Sequence, residues 1–370
     1  MAVTQRIPVP VWNRWPTWTA YAALLWSVIY AVLGISWALG GGGFPFGAND
    51  INAEGQGELL AEATAPVAGS ITAALGAAGV VTAGAMARRA RGPRAMLLGF
   101  GWSVAALLVL VLPEVRALNI ALFPLIFLTL DKMDWPTMNF LILMVGGIFW
   151  AGATLAYQRA SRSACANCGR VATDRTGRAE AWLLRWGRVI TYVAIAAPWG
   201  YAVVRLAWAL DIPAGVSTEF LRRMESANDG AGAKGMELVL AGMCAGGSLL
   251  TVGLIQRWGE IWPRWLVGLA GRPVPSAFPV TFASLAAVGV TAVGLSWARG
   301  LPGLIANGFS GDIEGYPVGP LFYLPIPAFL IWGVALGLAT LAYYYRRRDD
   351  CVHCRRGEAV GVASPVRSRP

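Results

Sequence analysis

Charge is what this chain has least of. Only 14% of its 370 residues are Asp, Glu, Lys or Arg, against about 25% in an average soluble domain. It has a single histidine, His353, and two lysines, Lys132 and Lys234. One imidazole excludes haem, copper and histidine-rich di-iron centres, each of which needs such ligands. It also excludes Ser-His-Asp hydrolysis, because His353 lies in a surface knuckle between two cysteines. No lysine sits within an apolar run, so a retinal Schiff base has no attachment point. A G-x-x-x-x-G-K-[ST] loop is absent too, which excludes a P-loop ATPase. Gly40–Gly43 is followed by Phe-Pro-Phe-Gly with no nearby cation and reads as a flexible loop, not a phosphate cradle.

What is abundant is apolar. Hydrophobic residues make up 56% of the chain, 17 of them tryptophan, and the net charge is +10. A spanning helix needs about 20 mainly apolar residues. Eight segments qualify: Trp18–Leu39, Val67–Ala87, Ala95–Pro113, Thr137–Gln158, Val189–Leu210, Met236–Gln256, Phe278–Ala298 and Phe322–Tyr345. The first is too long for the core of a cleavable signal, and none is expected before it. Ala117–Leu130, about 14 residues with a central proline, reads as an interfacial or re-entrant piece. Ile261–Ala270, behind Trp258, reads as a surface segment.

The arginines set the orientation. With eight spans and an internal N-terminus, 23 Lys and Arg fall in the tails and loops on the cytoplasmic side and six on the other. That asymmetry is the positive-inside pattern. A ninth span through Ala117–Leu130 would put the arginine-rich stretch 159–188 on the wrong side. The predicted organisation is a cytoplasmic tail 1–17, a four-helix unit 18–158, a basic linker 159–188, a second four-helix unit 189–345 and a basic tail 346–370. Residues 359–370 read as a disordered basic segment near anionic headgroups. The expected location is the plasma (cytoplasmic) membrane with both termini cytoplasmic. The lipid bilayer is the main partner, a cytoplasmic protein is a further one, and no nucleic acid is expected.

The two units look duplicated. Ala153-Thr-Leu-Ala-Tyr157 recurs as Ala339-Thr-Leu-Ala-Tyr343, and a C-x-x-C begins twelve residues after the first alanine of each copy. Tyr30 and Trp37 match Tyr201 and Trp208, each pair seven apart and followed by Ala-Leu. Thr82-Ala-Gly84 matches Thr251-Val-Gly253, whereas the third and seventh spans align poorly. Four spans per repeat give both copies the same orientation, so the fold class is an all-α integral membrane protein of two parallel four-helix repeats. Gly242-xxx-Gly246 and Gly333-xxx-Gly337, with Ala73/Ala77 and Gly147/Ala151 at the aligned positions, are expected at helix contacts.

The paired cysteines carry the strongest chemical signal. Cys165, Cys168, Cys351 and Cys354 all fall on the arginine-rich side, where thiols stay reduced. Each pair follows a helix end, not a thioredoxin-type turn. Two knuckles make the Cys₄ set a structural Zn²⁺ prefers, and the duplication would bring them together as a clip between repeats. Thiol redox sensing and two unconnected pairs stay open. His353 reads as a solvent-exposed loop residue and Cys244 as a packing residue.

Charge inside a span is a functional flag. Arg205 and Glu237 are the two instances, on neighbouring helices, and read as an ion pair or a ligand site. Carboxylates collect on the outer side: Asp50, Glu54, Glu58 and Glu62, then Glu114, Asp131 and Asp134. Asp131 and Asp134 are candidate ligand or acid/base groups. Thr72, Thr82, Thr191 and Thr251 are expected to bond to their own helix backbones. Trp26, Trp102, Trp150, Trp199 and Trp332 lie deeper than the interfacial tryptophans and are expected in core packing or along an apolar cavity.

The Gly- and Ala-rich, nearly lysine-free composition resembles that of high-GC actinobacterial proteins. Trp37-Ala-Leu-Gly-Gly41, closing the first span, looks like a motif of small bacterial multi-pass membrane domains. That resemblance covers about one repeat, implies a four-helix membrane unit and carries over no catalytic residue. Three functions follow as expectations. The first is a non-enzymatic membrane protein that binds or moves a small or apolar ligand, or scaffolds a cytoplasmic partner. The second is an enzyme acting on a lipid-like substrate at the outer face. The third is a membrane sensor of zinc or thiol redox state.

Overall fold

The computed structural model describes residues 15–50, 59–90, 92–122, 133–171, 177–227, 231–264, 268–309, 311–313, 315–348, 351 and 354. Eight of its helices are long and apolar enough to cross a membrane: Trp15–Ala38, Ala65–Ala87, Arg94–Val111, Trp135–Ala160, Arg178–Ala209, Gly232–Val252, Ala277–Ala298 and Pro320–Arg347. They are numbered here as spans one to eight. Their outward surface is apolar: Val81, Leu250, Leu249, Phe282 and Leu25 are each more than 60% exposed, while Glu114, Asn139 and Thr137 are buried. In water that arrangement is inside out, and in a bilayer it places each group in its preferred solvent. The chain is a polytopic, mostly helical membrane protein.

Local chemistry sets the ends. Asp134 caps span four by accepting a bond from the Thr137 backbone N–H at 2.9 Å, with Pro136 in the first turn, as helix starts favour. Span five begins at Arg178, inside the stretch read as a linker, because hydrogen bonding carries the helix beyond its apolar run. Its first turns are amphipathic, with Trp182 and Trp186 exposed. The same helix is interrupted at Ala197-Pro198, where the proline supplies no N–H. Span three ends in a wide π turn over Leu107–Val111. Thr191 and Thr251 donate to the carbonyls of Gly187 and Gly247, both at 2.7 Å, as expected of hydroxyls within spans.

Within the first half, span one packs against spans two and four, and span three against span four. Within the second half, span five packs against spans six and eight, and span seven against span eight. Each half has its own core, one around Trp37, Phe140 and Trp150, the other around Tyr201, Trp332 and Tyr343. The halves meet where span seven lies against the π turn and the short helix Val115–Leu122, and Leu118, Ala292 and Val293 form a small shared core. Arg299, just past span seven, donates to the carbonyls of Val111 and Pro113. These are carbonyls left over at the end of span three.

Some expected contacts are placed differently. Gly242 and Gly246 face open space, and it is Gly247 that lies against Trp332. A spacing of four fixes one face of a helix but not which way that face is turned. Gly147 and Gly333 do sit at contacts, each against the third span of its own half: Leu108 and Val109 for Gly147, Thr291 for Gly333. Trp150 and Trp332 are buried, whereas Trp102 and Trp199 are more than 40% exposed. The two ends of the 260–274 connection pair, Trp262 N–H bonding to the Arg272 carbonyl and Val274 N–H to that of Glu260. Residues 117–122 of the ambiguous piece are helical, in Val115–Leu122; its remainder, with Asp131, Glu54, Glu58 and His353, lies outside the described residues.

Candidate metal centre and charge pairs

The two C-x-x-C pairs meet at one end of the bundle. Each follows a long helix that ends in arginines: Arg159 for span four, Arg346 and Arg347 for span eight. The Sγ atoms of Cys165, Cys168, Cys351 and Cys354 all lie within 4.8 Å of one another. Across the pairs, Cys165 to Cys351 is 3.9 Å and Cys168 to Cys354 is 3.6 Å. Disulfide sulfurs would be about 2.05 Å apart. Four thiolates on a tetrahedral zinc, each about 2.3 Å from the metal, would be about 3.8 Å apart. The four sulfurs are close enough to hold a metal ion.

The first knuckle is built around its sulfurs. Cys165 Sγ accepts from the backbone N–H groups of Cys168 and Asn167, and Cys168 Sγ from that of Arg170. Gly169 adopts a φ of +74°, the left-handed turn that lets the chain fold back beneath the thiolates. Burial opposes the charge on Cys165, yet the N–H bonds prevail and hold its thiol below the ordinary value. Cys168 is pushed up to about 12, first by burial and then by the neighbouring sulfurs. A cluster of four sulfurs resists full ionisation unless a cation joins it.

Arginines close the site from both halves. Arg159 donates to the carbonyls of Ala166 and Asn167 at 2.6 and 3.0 Å and stacks over Trp15. Arg170 is buried and donates to the Arg348 carbonyl at 2.9 Å, joining the first knuckle to the end of span eight. Arg348 lies 3.7 Å from Glu180 of span five. Such second contacts orient ligands and offset the negative charge of a Cys₄ site. The sequence places arginines beside the cysteines, where they favour thiolate, but does not indicate these particular contacts.

Arg205 and Glu237 pair at 3.0 Å, and the guanidinium also sits 4.7 and 4.8 Å from the rings of Tyr201 and Trp208. The charge expected within a span is thus held by one carboxylate and two aromatic faces. At the same end of the bundle Asp134 lies 3.4 Å from Arg116, which also binds Asp50 and Glu114. The sequence reading counted Arg116 only as an outer cation. The Glu114-Val-Arg116 run directly after Pro113 was the available signal. Asn139, wholly buried in span four beside Tyr30, was also not singled out.

Comparison with known proteins finds no matching family model, curated protein or solved structure.

Proposed function

We propose that this protein is a non-enzymatic membrane scaffold: two four-span repeats of the same orientation, clipped at their cytoplasmic face by a structural zinc on Cys165, Cys168, Cys351 and Cys354. The single observation carrying this reading is the gathering of four sulfurs, two from each half, within 4.8 Å of one another. Matching contacts support the duplication. Tyr157 donates to the Ala90 carbonyl and Tyr343 to that of Gly259, each the loop between the second and third spans of its half. The cysteines share their end of the bundle with most of the arginines, which supports a cytoplasmic placement in the plasma membrane with both termini on that side. The rigid basic surface around the metal would then be what a cytoplasmic partner meets.

Zinc analysis of the purified full chain tests the clip. The expected result is one zinc per chain, lost together with thermal stability in Cys165→Ser. A fully folded, equally stable protein without metal overturns it. A reversible Cys165–Cys351 disulfide in cells would favour thiol sensing instead. Binding of an apolar ligand is the second reading, favoured by a groove of 440 Å³ between spans five and eight, lined by residues such as Ile190, Val193, Ile331 and Val334. An enzymatic role for the outer carboxylates has less support, since Asp50, Glu114 and Asp134 are engaged by Arg116.

A further inference from the structure

The groove of 440 Å³ between spans five and eight is lined only by apolar side chains, and Ile331 and Val334 on its wall are exposed. Its volume falls within the range of small-molecule sites, about 300–1,000 Å³. Between two spans such a groove faces the hydrocarbon of a bilayer. What distinguishes this one is its end on the cysteine side.

The two spans keep one antiparallel register along their length. Gly200 meets Ala328, a Cβ on Gly187 would come within 2.7 Å of that of Ala342, and Glu180 lies 3.7 Å from Arg348. Trp182, Trp186 and Tyr345 lie between the last two of these contacts. Trp186 stands four and seven residues before the groove-lining Ile190 and Val193, and Tyr345 seven and eleven after Leu338 and Val334. Both spacings keep to one helix face, so the two rings continue the walls of the groove.

Each ring carries a guanidinium. Arg185 sits 5.8 Å from the centre of the Trp186 ring, and Arg348 sits 5.4 Å from that of Tyr345. The aromatic faces suit these cations, but acids match them poorly. Glu180 is the sole carboxylate of span five, and its 3.7 Å to Arg348 exceeds the about 2.7–2.9 Å of a charge-assisted bond. Arg185 has no ion pair among the described residues. An apolar groove ending in interfacial aromatics and surplus positive charge is complementary to a molecule with an apolar tail and an anionic head.

We propose that spans five and eight bind one anionic phospholipid, with an acyl chain in the groove and the headgroup phosphate beside Arg185 and Arg348. This names the ligand of the apolar-ligand reading and rests on that reading; the zinc clip is independent of it.

Native mass spectrometry of the full chain in detergent, offered equal dioleoyl phosphatidylglycerol and dioleoyl phosphatidylcholine, tests it. One phosphatidylglycerol per chain is expected, preferred about fivefold or more over the zwitterionic lipid. Arg185→Gln should remove most of that preference, since one cation near an anionic lipid contributes about fivefold. Val334→Trp, which fills the groove from an exposed position, should abolish retention of both lipids. Unchanged retention in Val334→Trp overturns the placement in the groove. Displacement of the lipid by inorganic phosphate would assign the arginines to a free anion and overturn the proposal. Equal retention of the two lipids by the natural chain overturns it too, while leaving the apolar-ligand reading in place. Retention of neither overturns both.

Discussion

Spans one and two touch backbone to backbone, while the corresponding spans five and six are joined by a charge pair. A Cβ at Gly34 would overlap the Ala73 backbone, one at Gly69 would come within 2.6 Å of the Ala38 nitrogen, and one at Gly76 within 2.7 Å of that of Ala31. At the position matching Gly34, the second half has Arg205, bound to Glu237 and to the faces of Tyr201 and Trp208. Both halves keep a buried Tyr and Trp seven residues apart. The comparison teaches that neighbouring spans can be held together in two ways. Glycine contact requires no desolvated charge but admits no side chain. An ion pair admits bulk but must keep both members.

The largest effect should come from breaking the glycine contact. Gly34→Leu should push spans one and two apart and destabilise the protein by about 3 kcal/mol or more, the upper end for overpacking. Gly242→Leu, at a glycine with nothing within 4 Å, should change stability by about 0.5 kcal/mol or less. Thermal unfolding in detergent checks both, and equal losses would refute the contact assignment. Next in size, Glu237→Ala should cost about 1–3 kcal/mol by leaving Arg205 partly buried without its carboxylate. The double variant Arg205→Gly, Glu237→Ala copies the first half, which has Gly34 and Ala68 there, and should recover part of that loss. A double-mutant cycle showing no coupling would remove the pair from the account. Smallest are Tyr157→Phe and Tyr343→Phe, each expected to cost about 1 kcal/mol for one hydrogen bond. Clearly unequal losses, read as shifts in Tm, would argue that the two tyrosines are not counterparts.

The eight spans and the meeting of the four cysteines were legible in the sequence, the first from apolar run length and arginine asymmetry, the second from a repeated register. Both signals are local or periodic. The Arg116 cluster was not legible, since Asp50 from the first connection meets Glu114 and Asp134, at the two ends of the third, only when those connections fold onto one another. The facing of Gly242-xxx-Gly246 was not legible either, because helix rotation depends on neighbours the pattern does not name. Spans three and seven, which align poorly in sequence, also differ in local geometry. The π turn at Leu107–Val111 widens one turn of span three, while span seven runs regularly from Ala277 to Ala298.

Arg299 and the split cysteine cluster also bear on the timing of synthesis. The carbonyls of Val111 and Pro113 wait for a residue 188 and 186 positions later, and Cys165 waits 186 positions for Cys351. At about 5–20 residues per second, that is about 10–40 s during which the first half exists without its closing groups. A ribosome that stops early therefore releases a bundle with free thiols and an unfinished helix end.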